Sequence, residues 1–422
     1  MEEKMDEKKK DLSRREFIKI AGAASIGSVV ASAGRLAEAS DAGGPLQTNT
    51  VPTRPFGKTG AHVSVLGMGG SQDLSSKQLL LRQAVKMGVT YWDTAYRYKG
   101  GRSETAMGTY FSRYPEDRKK VFLVTKSSSS DPKMMTQYLD TSLERLQTDY
   151  VDLYFIHHVS DVTREIEPET RTWAEKKKAE GKIRFFGFST HSNMDQCLSD
   201  AARLGWIDGI MTSYNYRLMN SDAMKRAVDA CAKAGIGLTA MKTQETFFSY
   251  FYADIGKEND TAVELTDRFI KKGFTPEQAK LKAVLKNPDI TTICSEMPNM
   301  TILKANVAAV QDQTPLSSQD KRLLDQYARE TAGGYCAGCA RLCETALNGR
   351  VPVSNVMRYL MYHDLYGDHA HAVQLFHEIP ADTRRRLTRI NFSRAEALCP
   401  QKMPIGKLMA KAFETLNNPV WA

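Results

Sequence analysis

Eight short apolar runs, separated by stretches of helical periodicity, recur along this chain from about residue 63. They span 63–67, 90–94, 121–126, 151–157, 183–189, 209–214, 235–241 and 290–294, and each is rich in β-branched or aromatic residues. Runs of that kind suit strands buried on both faces. Between them, Leu79, Leu80, Ala84 and Met87 share one helical stripe, and Leu139, Leu143 and Leu146 share another. Gly88, Gly181 and Gly235 stand where helical runs stop. Strands alternating with helices predict a parallel sheet with right-handed crossovers. Eight such units predict a closed (β/α)₈ barrel of the TIM type rather than an open doubly wound sheet. An open dinucleotide-binding sheet is further disfavoured because the first strand leads into Gly67-Met68-Gly69-Gly70, not G-x-G-x-x-G.

A barrel needs ~250 residues, and the chain has 422, so both ends have other business. The division expected is a signal at 1–39, a linker at 40–50, the barrel at 51–315 and a helix-rich tail at 316–422. Residues 1–11 are polar and charged, followed by Ser13-Arg14-Arg15-Glu16-Phe17-Ile18-Lys19, a weakly apolar run to residue 33, and Ala37-Glu38-Ala39. That order resembles a twin-arginine (Tat) export signal with a small-x-small cleavage site; the plainer alternative is an amphipathic N-terminal segment. A stable membrane span takes ~20 strongly apolar residues, which this run lacks, so no stable membrane anchor is expected after cleavage. The Tat route carries proteins already folded, often with cofactors inserted. The signal therefore implies a periplasmic destination and a bound cofactor. Lys and Arg total 58 against 49 acids, giving a net charge of +9, but the two signs are interspersed. That is a mixed solvated surface, not a nucleic-acid footprint.

In a (β/α)₈ barrel the chemistry sits at the C-terminal ends of the strands. Asp93 ends the second apolar run, Tyr98 follows in the next loop, Lys126 ends the third run and His157 the fourth. Singly, each has a bland reading as a cap, a surface charge or a packed ring. Together they supply what carbonyl reduction needs. A phenol with pKa ~10 is a poor acid–base group at neutral pH. An ammonium nearby stabilises its phenolate and should lower that pKa. Tyr98 is then the acid, Lys126 its tuner, Asp93 the group that orients Lys126, and His157 the hydrogen-bond donor to the substrate oxygen.

Residues 55–310 resemble an aldo-keto reductase. The resemblance rests on Asp93-Thr94-Ala95-x-x-Tyr98, Phe122-Leu123-Val124-Thr125-Lys126, the stretch 143–157, Gly187-Phe188-Ser189 and Asn287-Pro288-Asp289. It implies nicotinamide-dependent carbonyl reduction, or its reverse, on a small carbonyl or alcohol. Of the adjacent histidines, His157 takes the family position, and strand alternation predicts that only one of His157 and His158 faces the mouth. The resemblance places Ser189, Thr190, Met211 and Asn306 at the cofactor. Thr190 stands where many members have Asn, and Met211 where the family has Gln. Glu296 and Ile302 stand where NADPH-preferring members of one branch have Lys and Arg. A carboxylate repels a 2′-phosphate, so either NADH replaces NADPH or nucleotide binding is weakened.

Of seven cysteines, Cys197, Cys231 and Cys294 are isolated and read as buried structural thiols. The others form Cys336-x-x-Cys339-x-x-x-Cys343 and, much later, Cys399-Pro400. The tight spacing and the Cys-Pro resemble a degenerate pair of ferredoxin half-motifs, with three residues where the usual run has two. The expectation is one [4Fe–4S] cluster on Cys336, Cys339, Cys343 and Cys399 in a small ferredoxin-like C-terminal domain. Structural zinc, disulfides in an oxidising compartment and a degenerate non-binding site are the alternatives. The chain resembles the subgroup of aldo-keto reductases with such tails.

Two functions follow. The first is an exported oxidoreductase whose cluster either links the barrel to an electron-transfer partner or is structural. The second is a non-catalytic binding or regulatory subunit, favoured by the altered nicotinamide contacts. The loop 243–275 contains Phe247, Phe248, Tyr250, Phe251 and Tyr252. It could cover a substrate such as a sugar, or pack on the tail.

Overall fold

The computed structural model describes residues 50–244, 260–273 and 275–417. The expected signal, the linker as far as residue 49, and the aromatic positions 247–252 lie outside the described residues. A short antiparallel hairpin comes first, β1 (Thr53–Pro55) and β2 (His62–Ser64), with Thr53 opposite Ser64. Eight parallel strands follow. They are β3 (Leu66–Gly69), β4 (Tyr91–Asp93), β5 (Phe122–Ser127), β6 (Val151–Ile156), β7 (Ile183–Thr190), β8 (Gly209–Ser213), β9 (Gly237–Met241) and β10 (Thr292–Ser295). They close in sequence order, with β10 pairing back onto β3 at Ile293 opposite Leu66. The eight expected strands are therefore the barrel, with one shift. The apolar run 63–67 is split between hairpin and barrel, because Val65 bonds the hairpin through its N–H (to Pro52 O, 2.9 Å) and β10 through its carbonyl.

Alternation along the strands fills the barrel. Tyr91, Phe122, Val124, Leu153, Phe155, Met211 and Met241 form one inner cluster, which also takes Phe56 from the hairpin tip. Phe56 is fully buried and plugs the end opposite the catalytic mouth. Gly209 and Gly237 allow this, since a Cβ at either would lie 2.7 and 2.5 Å from the Phe56 ring. The outer faces meet the helices. The helix Pro132–Leu146 shows why one forms here. Asp131 accepts the Met134 N–H as N-cap, Pro132 opens the first turn, and Met135, Leu139 and Leu146 face the barrel. A cap of this kind is worth about 1 kcal/mol. Gln147, at φ 51°, ends the helix.

The helix Ser318–Glu330 packs Leu323 and Leu324 against Tyr216, Phe269 and Ala283, so it lies on the barrel side. A second core belongs to the tail. Val356 and Leu360 of helix Val353–Asp364 meet Phe376 of helix His369–His377 and Leu408 and Leu416 of helix Ile405–Asn417. This tail is mostly helical and has no strand among the described residues. The expected helix-rich tail is present, while a ferredoxin-like arrangement finds no support in it. The likeness is confined to cysteine spacing, which records one turn and one helix start and says little about the surrounding fold. Barrel and tail form one compact unit, Asn49–Ala422. No helix among the described residues is long and apolar enough to cross a membrane.

Candidate active site

Strands β4 and β5 are neighbours, with Asp93 opposite Val124. This brings the two strand ends together at the mouth. Lys126 is fully buried and Asp93 is 3% exposed. The Lys126 Nζ donates to Asp93 Oδ1 at 2.5 Å, to the Thr94 carbonyl at 2.8 Å and to the Tyr98 hydroxyl at 3.4 Å. Burial raises the Asp93 pKa and Lys126 pulls it back. A buried ion pair of this kind holds only while both partners stay. Tyr98 lies in a single turn, Tyr98–Gly101. Its ring meets the His157 ring edge-on, 5.5 Å between centroids and 77° apart. The structure thus gathers Asp93, Tyr98, Lys126 and His157 around one point.

Two expectations about them are corrected. Burial, reinforced by Asp93, pushes the Tyr98 phenol well above its ordinary value. The Lys126 ammonium lies 0.9 Å closer to Asp93 than to the phenol. Strand alternation also fails to separate the two histidines. β6 ends at Ile156, and His158 takes a left-handed conformation, φ 67°. Their rings come together at 3.6 Å, and the His158 ring lies 5.2 Å from that of His191. A non-glycine residue held there is uncommon and tends to mark a functional site. Burial drives the pKa of His157 and His158 well below the usual histidine value, with Lys126 and His157 next in order respectively.

The four expected cofactor residues divide. Ser189 ends up buried at the mouth, its Oγ accepting the His158 N–H at 3.1 Å. Met211 faces the inner barrel beside Met241. Thr190 turns its hydroxyl to the Ser192 carbonyl, 2.9 Å away. Asn306, in helix Met300–Gln311, bonds Gln244 and Ser295 at 3.1 Å each. Glu296 is exposed just after β10, its carboxylate accepting from Ser71.

All four tail cysteines line one cavity of about 370 Å³, otherwise walled by Leu342, Val353, Met357, Met403 and Ile405. Each is a free thiol, so no disulfide joins them. Burial raises the thiol pKa of Cys336, and charge on Cys339, Cys343 and Cys399 raises it further. Among the described residues no group of three or more His, Cys, Asp or Glu is placed to hold a metal ion. The cysteine loop is fixed to the barrel. The Gly338 carbonyl accepts the Asn193 N–H at 2.7 Å. Gly338 has φ +72°, and a Cβ on it would lie 2.3 Å from the His191 carbonyl.

Sequence reasoning missed what the tail brings to the mouth. Arg97 pairs with Glu378 at 2.8 Å and Lys99 with Asp368 at 2.7 Å, one on each side of Tyr98. Lys242 lies over the rings of Tyr362 and Tyr366, at 4.8 and 4.4 Å. A cleft of about 470 Å³ between barrel and tail is lined by His191, Ser213, Lys242, Cys336 and Arg358, among others. No local pattern marks these tail residues, because they reach the mouth only through tertiary packing.

A closed parallel barrel whose mouth holds a phenol, a buried ammonium–carboxylate pair and an imidazole is built for acid–base chemistry at a carbonyl oxygen. The chain belongs to the aldo/keto reductase family, whose model matches residues 64–329. It is 34% identical over 155 residues to aldo-keto reductase yakc [NADP(+)] of Schizosaccharomyces pombe, spanning 33% of this chain and 43% of that protein. It is 25% identical over 297 residues to L-galactose dehydrogenase of Arabidopsis thaliana, covering 65% and 92%. The solved aldo-keto reductase from Bacillus halodurans in its holo form superposes with a TM-score of 0.54 at 21% identity, over 65% of this chain and 96% of that one. It shares the fold. The tail beyond residue 329 lies outside the family match.

Proposed function

We propose that this chain is an enzyme, an oxidoreductase moving a hydride between a nicotinamide nucleotide and a small carbonyl or alcohol. The reading is carried by the buried Lys126–Asp93 pair set beside the Tyr98 phenol and the His157 ring. Met211 and Met241 give a flat ring an apolar floor, and Ser189 offers it a hydroxyl. Ser189, Thr190, Met211 and Asn306 are the residues that would hold the nucleotide. When bound, it supplies or accepts the hydride. Tyr98, kept protonated by its burial, gives its proton to the developing alkoxide. Lys126, anchored by Asp93 and the Thr94 carbonyl, stabilises the phenolate left behind. His157, kept neutral by burial and by Lys126, donates from its ring N–H to the substrate oxygen. A sugar is one candidate substrate, supported by the L-galactose dehydrogenase relative. Glu296 argues for NADH over NADPH.

The sign of the Tyr98 shift sets the pH dependence. Oxidation needs the phenolate, which is scarce below the raised pKa. Alcohol oxidation is therefore expected to rise about tenfold per pH unit from pH 7 to 9, while reduction stays nearly flat. Steady-state rates in both directions, with NADH and NADPH binding followed by fluorescence, check this. A flat oxidation profile counts against Tyr98 as the proton carrier. The second reading, a regulatory subunit, rests on Met211 in the carboxamide position. Absence of binding of either nucleotide is its signature.

The tail is read as the seat of a [4Fe–4S] cluster held by Cys336, Cys339, Cys343 and Cys399. The fit lies in the donor set. Four free thiols line one largely apolar cavity, and each iron of such a cluster takes one thiolate. When bound, the cluster passes single electrons, which suits an external electron-transfer partner. The N-terminal pattern points to Tat export and a periplasmic setting. Anaerobically purified protein is expected to be brown, with absorbance near ~400 nm that Cys339→Ser removes. Stoichiometric zinc without iron would refute the cluster.

A further inference from the structure

We infer that Arg358 is the binding site for a carboxylate on the substrate, so that the carbonyl compound this barrel prefers is an acid. The inference rests on the reductase reading for the word substrate, and on geometry alone for the anion. Arg358 lies on helix Val353–Asp364 of the tail and is 9% exposed. Its Nη2 donates to Asn355 Oδ1 at 3.0 Å, while its buried Nη1 has no hydrogen-bond partner. No carboxylate among the described residues lies within ion-pair distance of it. A buried guanidinium nitrogen without an acceptor is expensive, since its hydration is lost and nothing replaces it. Such a group is kept where a ligand completes it.

The setting indicates which ligand. Arg358 lines the cleft between barrel and tail together with Lys242, His191 and Ser213, and no acidic side chain is in that lining. Lys242 has Glu296 in electrostatic reach. His191 in that lining has its ring 5.2 Å from the ring of His158, which lies 3.6 Å from that of His157, so the cleft adjoins the tetrad through the three histidines. A planar fork of donors matches a carboxylate in two hydrogen bonds. Two other anions compete, the nucleotide's phosphates and the cysteine thiolates. Cys336 shares the cleft with Arg358, but Cys339, Cys343 and Cys399 do not, and Arg358 is absent from the lining of the cysteine cavity. That favours the substrate side.

The test uses matched pairs differing only in the acid, 4-carboxybenzaldehyde against benzaldehyde and D-galacturonate against D-galactose, on the full-length holoprotein. Wild type is expected to favour the acid by about 30-fold in kcat/KM, the worth of a charged hydrogen-bonded contact, and mostly through KM. Arg358→Met should bring that ratio near unity, with Arg358→Lys in between. A ratio that Arg358→Met leaves intact overturns the inference. So does an Arg358→Met effect confined to NADH or NADPH affinity, which assigns the anion to the nucleotide. A changed cluster absorbance at an unchanged ratio also overturns it, by assigning Arg358 to the cysteines. Equilibrium dialysis of benzoate separates this inference from the reductase reading. If no aldehyde is turned over but wild type binds benzoate and Arg358→Met does not, the anion site stands and the reductase reading falls. Arg358→Gln replaces Arg358→Met if circular dichroism shows the latter unfolded.

Discussion

Replacing Tyr98 with phenylalanine is expected to lower kcat for carbonyl reduction by about 10²–10⁴-fold, the range of general acid catalysis by one positioned group. The reason lies in the surroundings of the phenol. Its hydroxyl is the group 3.4 Å from the Lys126 ammonium, and the His157 ring meets it edge-on. His157 is pushed toward the neutral form, which suits the proposed role of orienting the substrate oxygen and makes it a weak source of protons. The ring itself stays in Tyr98→Phe, and with it the contact under the Lys126 ammonium at 4.8 Å. Stability and nucleotide affinity should therefore change little. Single-turnover rates at saturating aldehyde, with melting curves and nucleotide titrations alongside, measure this. Activity kept within tenfold of wild type would remove Tyr98 from its role.

The second large effect concerns folding as well as rate. Lys126→Met leaves the Asp93 carboxylate buried without its cation, and breaking a buried pair from one side costs about 3–5 kcal/mol. The paired variant Asp93→Leu with Lys126→Met removes both charges. It should recover most of that stability, because two buried charges replaced by apolar groups of similar bulk are close to neutral. It should recover none of the activity. Urea denaturation of the two single variants and the double variant gives the coupling directly. If the double variant is as unstable as the worse single one, the charges were not the source of the loss, and cavity or packing effects at the strand ends must be.

How much of this was legible beforehand depends on the range of the interactions involved. The strands from β4 to β10 could be read because a strand buried on both faces is apolar throughout, and the tetrad because its members sit at strand ends or one turn beyond. The first strand was misplaced because Val63 and Leu66 look alike in sequence, and only the bond from Val65 to Pro52 assigns them to different sheets. His158 was set aside on a rule for extended backbone, yet its φ of 67° takes it out of that rule. The Tyr98 shift was predicted with the wrong sign because spacing shows that Lys126 is near, not how deeply the phenol is buried. Arg358 could not be found at all. Nothing local separates it from the other arginines of the tail, and it gains significance only when its helix lies over the barrel.

The contact at Gly338 bears on how the molecule is put together. The cysteine loop needs glycine at Gly338 both for its left-handed φ and for the lack of room beside the His191 carbonyl, and it accepts one hydrogen bond from Asn193. The loop therefore takes its shape from a template that exists only once the barrel has closed. The expected order of assembly is the barrel first and the tail seated on it next. The tail is not a portable cassette that could be moved to another protein with its cysteines in working order. Under the export proposed for this chain, that dependence would act as a checkpoint, since a barrel that fails to close would also leave its cysteines unassembled.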